Sequence, residues 1–116
     1  MAVRRIVADL HAAQPAASRA FYEDVLGLEV VMDQGWIVTF GAPGDRGVQL
    51  SVMADDASAP VTPDVSVEVD DVDAVHAAAV ARGDEIVHPL TDEPWGVRRF
   101  FVRDPSGKVI NILTHR

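Results

Sequence analysis

Asp9 and His11 stand two residues apart in a run where apolar and polar residues alternate, so both side chains fall on one face of a strand. An imidazole beside a carboxylate can act as an acid–base pair or supply two ligands to a metal. The same spacing also describes an ordinary hydrogen-bonded surface pair. Other reactive chemistry is scarce. Cysteine is absent, which removes a thiol nucleophile, a thiolate metal site and disulfides. Ser18, Ser51 and Ser106 have no base close in sequence, and none sits in a nucleophile-elbow pattern. The glycines mark turns, and no glycine-rich phosphate loop is present. What remains is aromatic and cationic. Trp36 and Phe40 share one strand-like run, and Trp95 sits between Pro94 and Gly96. Phe100 and Phe101 alternate, as do Arg98 and Arg99, so one of each pair faces each side of its strand. Rigid rings stack on planar ligands at little entropic cost. Trp36 suits a core position equally well, and Trp95, in a loop, suits the mouth of a pocket. Phe21 and Tyr22 read as core, His76 and His88 as exposed, and His115 as a mobile terminal residue.

The elements that must position these side chains are legible from period and punctuation. Residues 4–12 alternate as a strand, and Gln14-Pro15 breaks it. Residues 16–26 predict a helix with Ala17, Ala20, Phe21, Val25 and Leu26 on its buried stripe, closed by Gly27. Strands follow at 28–32, 36–40 and 48–53. Residues 55–63 are rich in Ala, Ser, Asp and Pro and read as a linker. The plan then recurs: a strand at 65–69, a helix at 72–82 with Val72, Val75, Ala79 and Val80 inward, a stop at Gly83, and strands at 85–88, 98–103 and 108–113. The last two flank Asp104-Pro105-Ser106-Gly107, a turn sequence.

At 116 residues the chain is one domain, with module one at 1–54 and module two at 64–116. The modules superpose in sequence. Asp64 falls on Val7 and Asp71 on Gln14 at one offset; Pro105 falls on Pro43 and Asn111 on Gln49 at another. Each module presents a sheet with a helix on one face only, so the other face must be covered by its counterpart, a partner subunit or a ligand. The net charge of −8 argues against nucleic acid and anionic membrane partners. No apolar run approaches the ~20 residues of a membrane span, and the basic start breaks at Asp9 before any signal-peptide core, so a cytoplasmic protein is expected.

Three stretches, SRAFYEDVLGLE from Ser18, VEVDDVDAV from Val67 and FFVRDPSGKVINIL from Phe100, resemble the vicinal oxygen chelate superfamily of glyoxalases, bleomycin-resistance proteins and dioxygenases. The resemblance spans the chain. It implies an α+β fold of two tandem βαβββ modules forming an open, incomplete β-barrel with helices on the outer faces, often completed in a homodimer. Enzymes of this family hold a divalent metal on the first and last strands of each module. Carried over residue by residue, those positions are Val7, Gln49, Asp64 and Asn111. One aliphatic, two neutral amides and one carboxylate are too poor a set to retain a transition metal, whose sites are built from imidazole and carboxylate. The expectation is therefore no metal and no cofactor.

Alternation then gives a lining. Val7 brings Asp9 and His11; Gln49 brings Ser51 and Met53; Asp64 brings Ser66 and Glu68; Asn111 brings Val109 and Leu113. The opposite faces, Ile6/Ala8/Leu10, Val48/Leu50/Val52, Val65/Val67/Val69 and Ile110/Ile112, are apolar and should meet the helices. The expected ligand-binding set is His11, Trp36, Phe40, Gln49, Ser51, Asp64, Ser66, Glu68, Trp95, Arg98, Phe100 and Asn111, with no catalytic residue among them. Similarity to the bleomycin-resistance branch implies a homodimer that sequesters an antibiotic-like organic molecule, planar or cationic, without breaking a bond. The rival expectations are a metal-dependent lyase, isomerase or dioxygenase with a displaced site around His11, Gln49, Asp64 and Glu68, and a metal-free isomerase or hydrolase using Asp9–His11 or Glu68 as base.

Overall fold

A computed structural model describes residues 2–116. Its elements run β1 (Val3–His11), a 3-10 turn (Pro15–Ser18), α1 (Arg19–Asp24), β2 (Glu29–Asp33), β3 (Ile37–Ala42), β4 (Asp45–Met53), β5 (Val65–Val69), α2 (Val72–Arg82), β6 (Ile86–Glu93), β7 (Val97–Arg103) and β8 (Val109–His115). This is the α+β fold of two βαβββ modules expected from the sequence. The chain forms two compact units: Val7–Thr62, and Pro63–Arg116 with the start of β1 up to Ile6.

In the Val7–Thr62 unit the strand order is β2-β3-β4-β1. The first two pairings are antiparallel, and β4 runs parallel to β1 with Asp9 opposite Ser51 and His11 opposite Met53. Gly41 lies opposite Gln49 where β2 crowds in; a Cβ there would stand 3.0 Å from Val31 Cγ1. In the other unit the order is β5-β8-β7-β6, again with a parallel pair, β5 and β8, and antiparallel neighbours beyond it. Parallel pairing of a module's first and last strands needs a crossover, which the helix and hairpin between them provide.

The two helices differ. α2 has the predicted bounds and is well closed. Asp71 accepts a hydrogen bond from the Ala74 N–H at 3.1 Å, and Gly83 ends the helix in the left-handed region at φ 80°. Its Val72, Val75 and Ala79 pack on Val67, Val69, Phe100, Val102, Ile110 and Ile112. Val80, expected inward, is exposed. The first helix is shorter than the sequence predicts. Its opening turn is 3-10, which advances about 120° per residue against about 100° in an α-helix, and that rotates the following residues. Tyr22 becomes the inward residue, packed with Val38, Phe40 and Val52, while Phe21, Val25 and Leu26 are exposed. Against the expectation that the apolar face of β1 meets a helix, Ile6 is 61% and Leu10 44% exposed.

Candidate functional site

The Val7–Thr62 unit brings several expected residues to the sheet face opposite α1. Val7 and Asp9 are buried and His11 is exposed at the end of β1. Gln49 is half-buried on β4, and Ser51 is buried, its hydroxyl 2.7 Å from that of Thr39. Phe40 lies elsewhere. Its ring is fully buried on the helix side, 5.0 Å from Tyr22, so α1 and not a ligand covers it. Trp36 precedes β3 and is partly exposed.

The Pro63–Arg116 unit settles which of the paired residues face away from α2. Phe100 belongs to the cluster under α2, with His76 edge-on at 4.9 Å. Arg98 is on that side too, bonded to Asp73 of α2 at 2.9 Å and to Asp92 at 3.2 Å. That contact holds the Asp73 carboxyl below its usual range. Phe100 and Arg98 are therefore structural side chains of the helix-packed layer, and Phe101 and Arg99 occupy the opposite face in their place.

Around Arg99 lies a cluster that the sequence did not reveal. Its guanidinium pairs with Glu93 at 2.9 Å, both side chains being almost wholly buried. The guanidinium carbon is 5.1 Å from the Trp95 ring centre and 4.8 Å from that of Phe101, within cation–π range of both. His88, expected to be exposed, is buried against Phe101 at 5.1 Å with Nε2 3.9 Å from Glu93. Trp95 stands in the turn between β6 and β7, at the far end of β7 from the Asp104–Gly107 turn. Alternation could not place His88 or Glu93, because β6 shifts register on both sides of His88. A second cluster of the same composition surrounds Glu68, which pairs with Arg5 at 3.1 Å and His115 at 2.9 Å. His115 is thus anchored, contrary to the mobile end expected of it.

Asp64 and Asn111 complete this unit. The Asp64 carboxylate accepts from the Val109 N–H at 2.9 Å while its own N–H donates to the Val109 carbonyl at 2.8 Å, so its side chain closes the β5–β8 ladder. Asn111 is 7% exposed. Its Nδ2 donates to Ser66 Oγ at 3.0 Å, and its Oδ1 has no hydrogen-bond partner among the described residues.

These placements test a metal directly. Val7 has no donor, Asp64 is the one carboxylate and gives one of its oxygens to the Val109 N–H, and Gln49 and Asn111 offer neutral amides. Among the described residues no three His, Cys, Asp or Glu side chains come together to hold an ion. The family positions do not fit a catalytic transition metal.

Paired βαβββ modules, each with its first and last strands parallel and a helix on one face, define the class of fold. The profile of the Glyoxalase/Bleomycin resistance protein/Dioxygenase superfamily matches residues 6–112, and the chain belongs to that superfamily. No curated protein matches the sequence. Among solved structures, one described as an NAD-dependent benzaldehyde dehydrogenase from Legionella pneumophila is similar with a TM-score of 0.76 at 20% identity, over 96% of this chain and 99% of that one. A superfamily member from Vibrio splendidus gives 0.72 at 21%, over 97% and 99%. Methylmalonyl-CoA epimerase from Mycobacterium tuberculosis gives 0.69 at 17%, over 98% and 87%. At these identities the likeness is one of fold. Among the described residues no helix is long and apolar enough to cross a membrane.

Proposed function

We propose that this superfamily member is a metal-independent binding protein that sequesters an organic, antibiotic-like molecule and acts as a homodimer. The observation that carries this reading is the content of the four family metal positions: an aliphatic side chain, two neutral amides and a single carboxylate, one of whose oxygens accepts from a backbone N–H. With no Lewis acid to polarise a substrate, binding is what these faces offer. The face of the Pro63–Arg116 unit turned away from α2 combines buried polar groups (Arg99, Asn111) with the buried Phe101 ring and the exposed Trp95, the mixture that suits an organic ligand. Sequestration needs affinity alone, and a micromolar dissociation constant corresponds to about −8 kcal/mol. Exposed Leu10 of β1, Phe21 of α1, and Val25 and Leu26 just after it, all in the Val7–Thr62 unit, support a second copy as the partner.

The test is titration of the purified protein with an intercalating anthracycline, a glycopeptide, an enediyne and a bleomycin, following tryptophan fluorescence. Saturable quenching by at least one of them is expected. Indifference to all four contradicts the reading. Tight, stoichiometric metal in protein purified without chelator would favour the metal-dependent enzyme instead.

A further inference from the structure

The strand register places His88, Phe101, Asn111 and Ser66 in one row across β6, β7, β8 and β5. Two members of this row are unfinished. Asn111 Oδ1 and His88 Nε2 are each buried without a hydrogen-bond partner among the described residues, and both residues are only 7% exposed. A buried polar atom left unpaired bears its full desolvation cost, so a group that completes it is favoured. The two lie two strands apart, about 10 Å at the usual strand spacing, with the Phe101 ring between them.

The carboxylates beside the row are occupied: Glu93 by Arg99, with His88 Nε2 3.9 Å away, and Glu68 by Arg5 and His115. The net charge of −8 therefore does not describe this face. An incoming cation finds each carboxylate occupied. An incoming anion has to displace a carboxylate from its arginine. Either would bury an unpaired charge. The layer above is the movable one: Phe101 is covered by Arg99, Arg99 by Trp95, and Trp95, in a turn, is 51% exposed.

We propose that the row is a recognition strip, reached beneath Trp95, for an uncharged planar ligand that offers an N–H donor to Asn111 Oδ1, as an aromatic carboxamide or lactam does. His88 Nε2 takes a second polar group of the same ligand, as donor or acceptor according to its tautomer. The inference rests on the binding reading above and names the ligand class of that site.

The test is calorimetric titration with three probes of one shape: 2-naphthamide, 2-naphthoate and 2-naphthylmethylammonium. The amide is expected to bind at least about tenfold more tightly than either ion, a difference of about 1.4 kcal/mol. Asn111→Leu, of similar shape without the acceptor, should remove that advantage, whereas Ser66→Ala should keep it. Should Asn111→Leu fail to fold, the near-isosteric Asn111→Asp should shift the preference to the ammonium probe. Tightest binding of either ion by the parent, an unchanged amide preference in the Asn111 variants, or no binding of any probe overturns the inference. The antibiotic titration decides the broader reading separately: saturable binding there with ions preferred here would sink the ligand class and leave sequestration standing.

Discussion

The two modules share one plan and spend it differently. The second has an eleven-residue helix with a side-chain cap and a glycine stop, and buries its arginine, glutamate and histidine on the sheet face away from that helix. The first has a six-residue helix whose N-cap, Ser18, makes no side-chain capping bond, and exposes apolar residues on the helix and on β1. Helix length decides this. A long helix covers more of the greasy side of its sheet, and polar groups can then be specialised on the other side. A short one leaves grease outside, where a partner can take it.

Substitutions can break that contrast or sharpen it. Phe100→Ala should cost about 3–5 kcal/mol in chemical denaturation, and Phe40→Ala a similar amount, because each ring is fully buried beneath its own helix. A small cost for Phe40→Ala alone would mean that the first helix hardly packs. Glu93→Ala should cost about 3 kcal/mol by taking the Glu93 carboxylate away from the buried Arg99 guanidinium. It should also shift Trp95 fluorescence, measured in a Trp36→Phe background. Asp71→Ala should cost about 1 kcal/mol with faster amide exchange in the first turn of α2. Ser18→Ala should be nearly silent. Val25→Lys, at a site 65% exposed, should leave folding unchanged and weaken self-association in sedimentation velocity.

The smallest effect concerns acid. Asp104 is held below its usual carboxylate range, first by the Ser106 hydroxyl and then by the Lys108 N–H. A depressed folded pKa gives stability that is present above the unfolded value, about 3.9, and lost as pH falls through the folded one. Asp104→Asn should therefore be less stable than the parent at neutral pH, and the two should converge in acid. A constant gap across that range would contradict the assignment.

Much of this was legible in the chain. Val72–Arg82 has a cap and a stop, and Val65–Val69 alternates, so the bounds of both were readable to the residue, although Val80 does not follow the expected stripe. The division of β5 and β8 into a helix face and a mixed face followed from the same alternation. The first helix misled because a 3-10 opening turns the stripe, which periodicity taken at one pitch cannot show. His88 and Glu93 were hidden by the register shifts of β6. Phe100 and Phe101 could not be assigned to faces until α2 had claimed Phe100. Two arginines, two glutamates and two histidines, scattered over the sequence from Arg5 to His115, become paired clusters only in three dimensions.

The measurement closest to the centre is metal content. The purified chain would be equilibrated with equimolar zinc, manganese and ferrous iron, dialysed, and analysed for all three elements. Far less than one ion per chain is the expected result, since Val7, Gln49, Asp64 and Asn111 cannot grip one. One tightly held ion per chain, lost on replacing Asp64 or Asn111 by Ala, would contradict it.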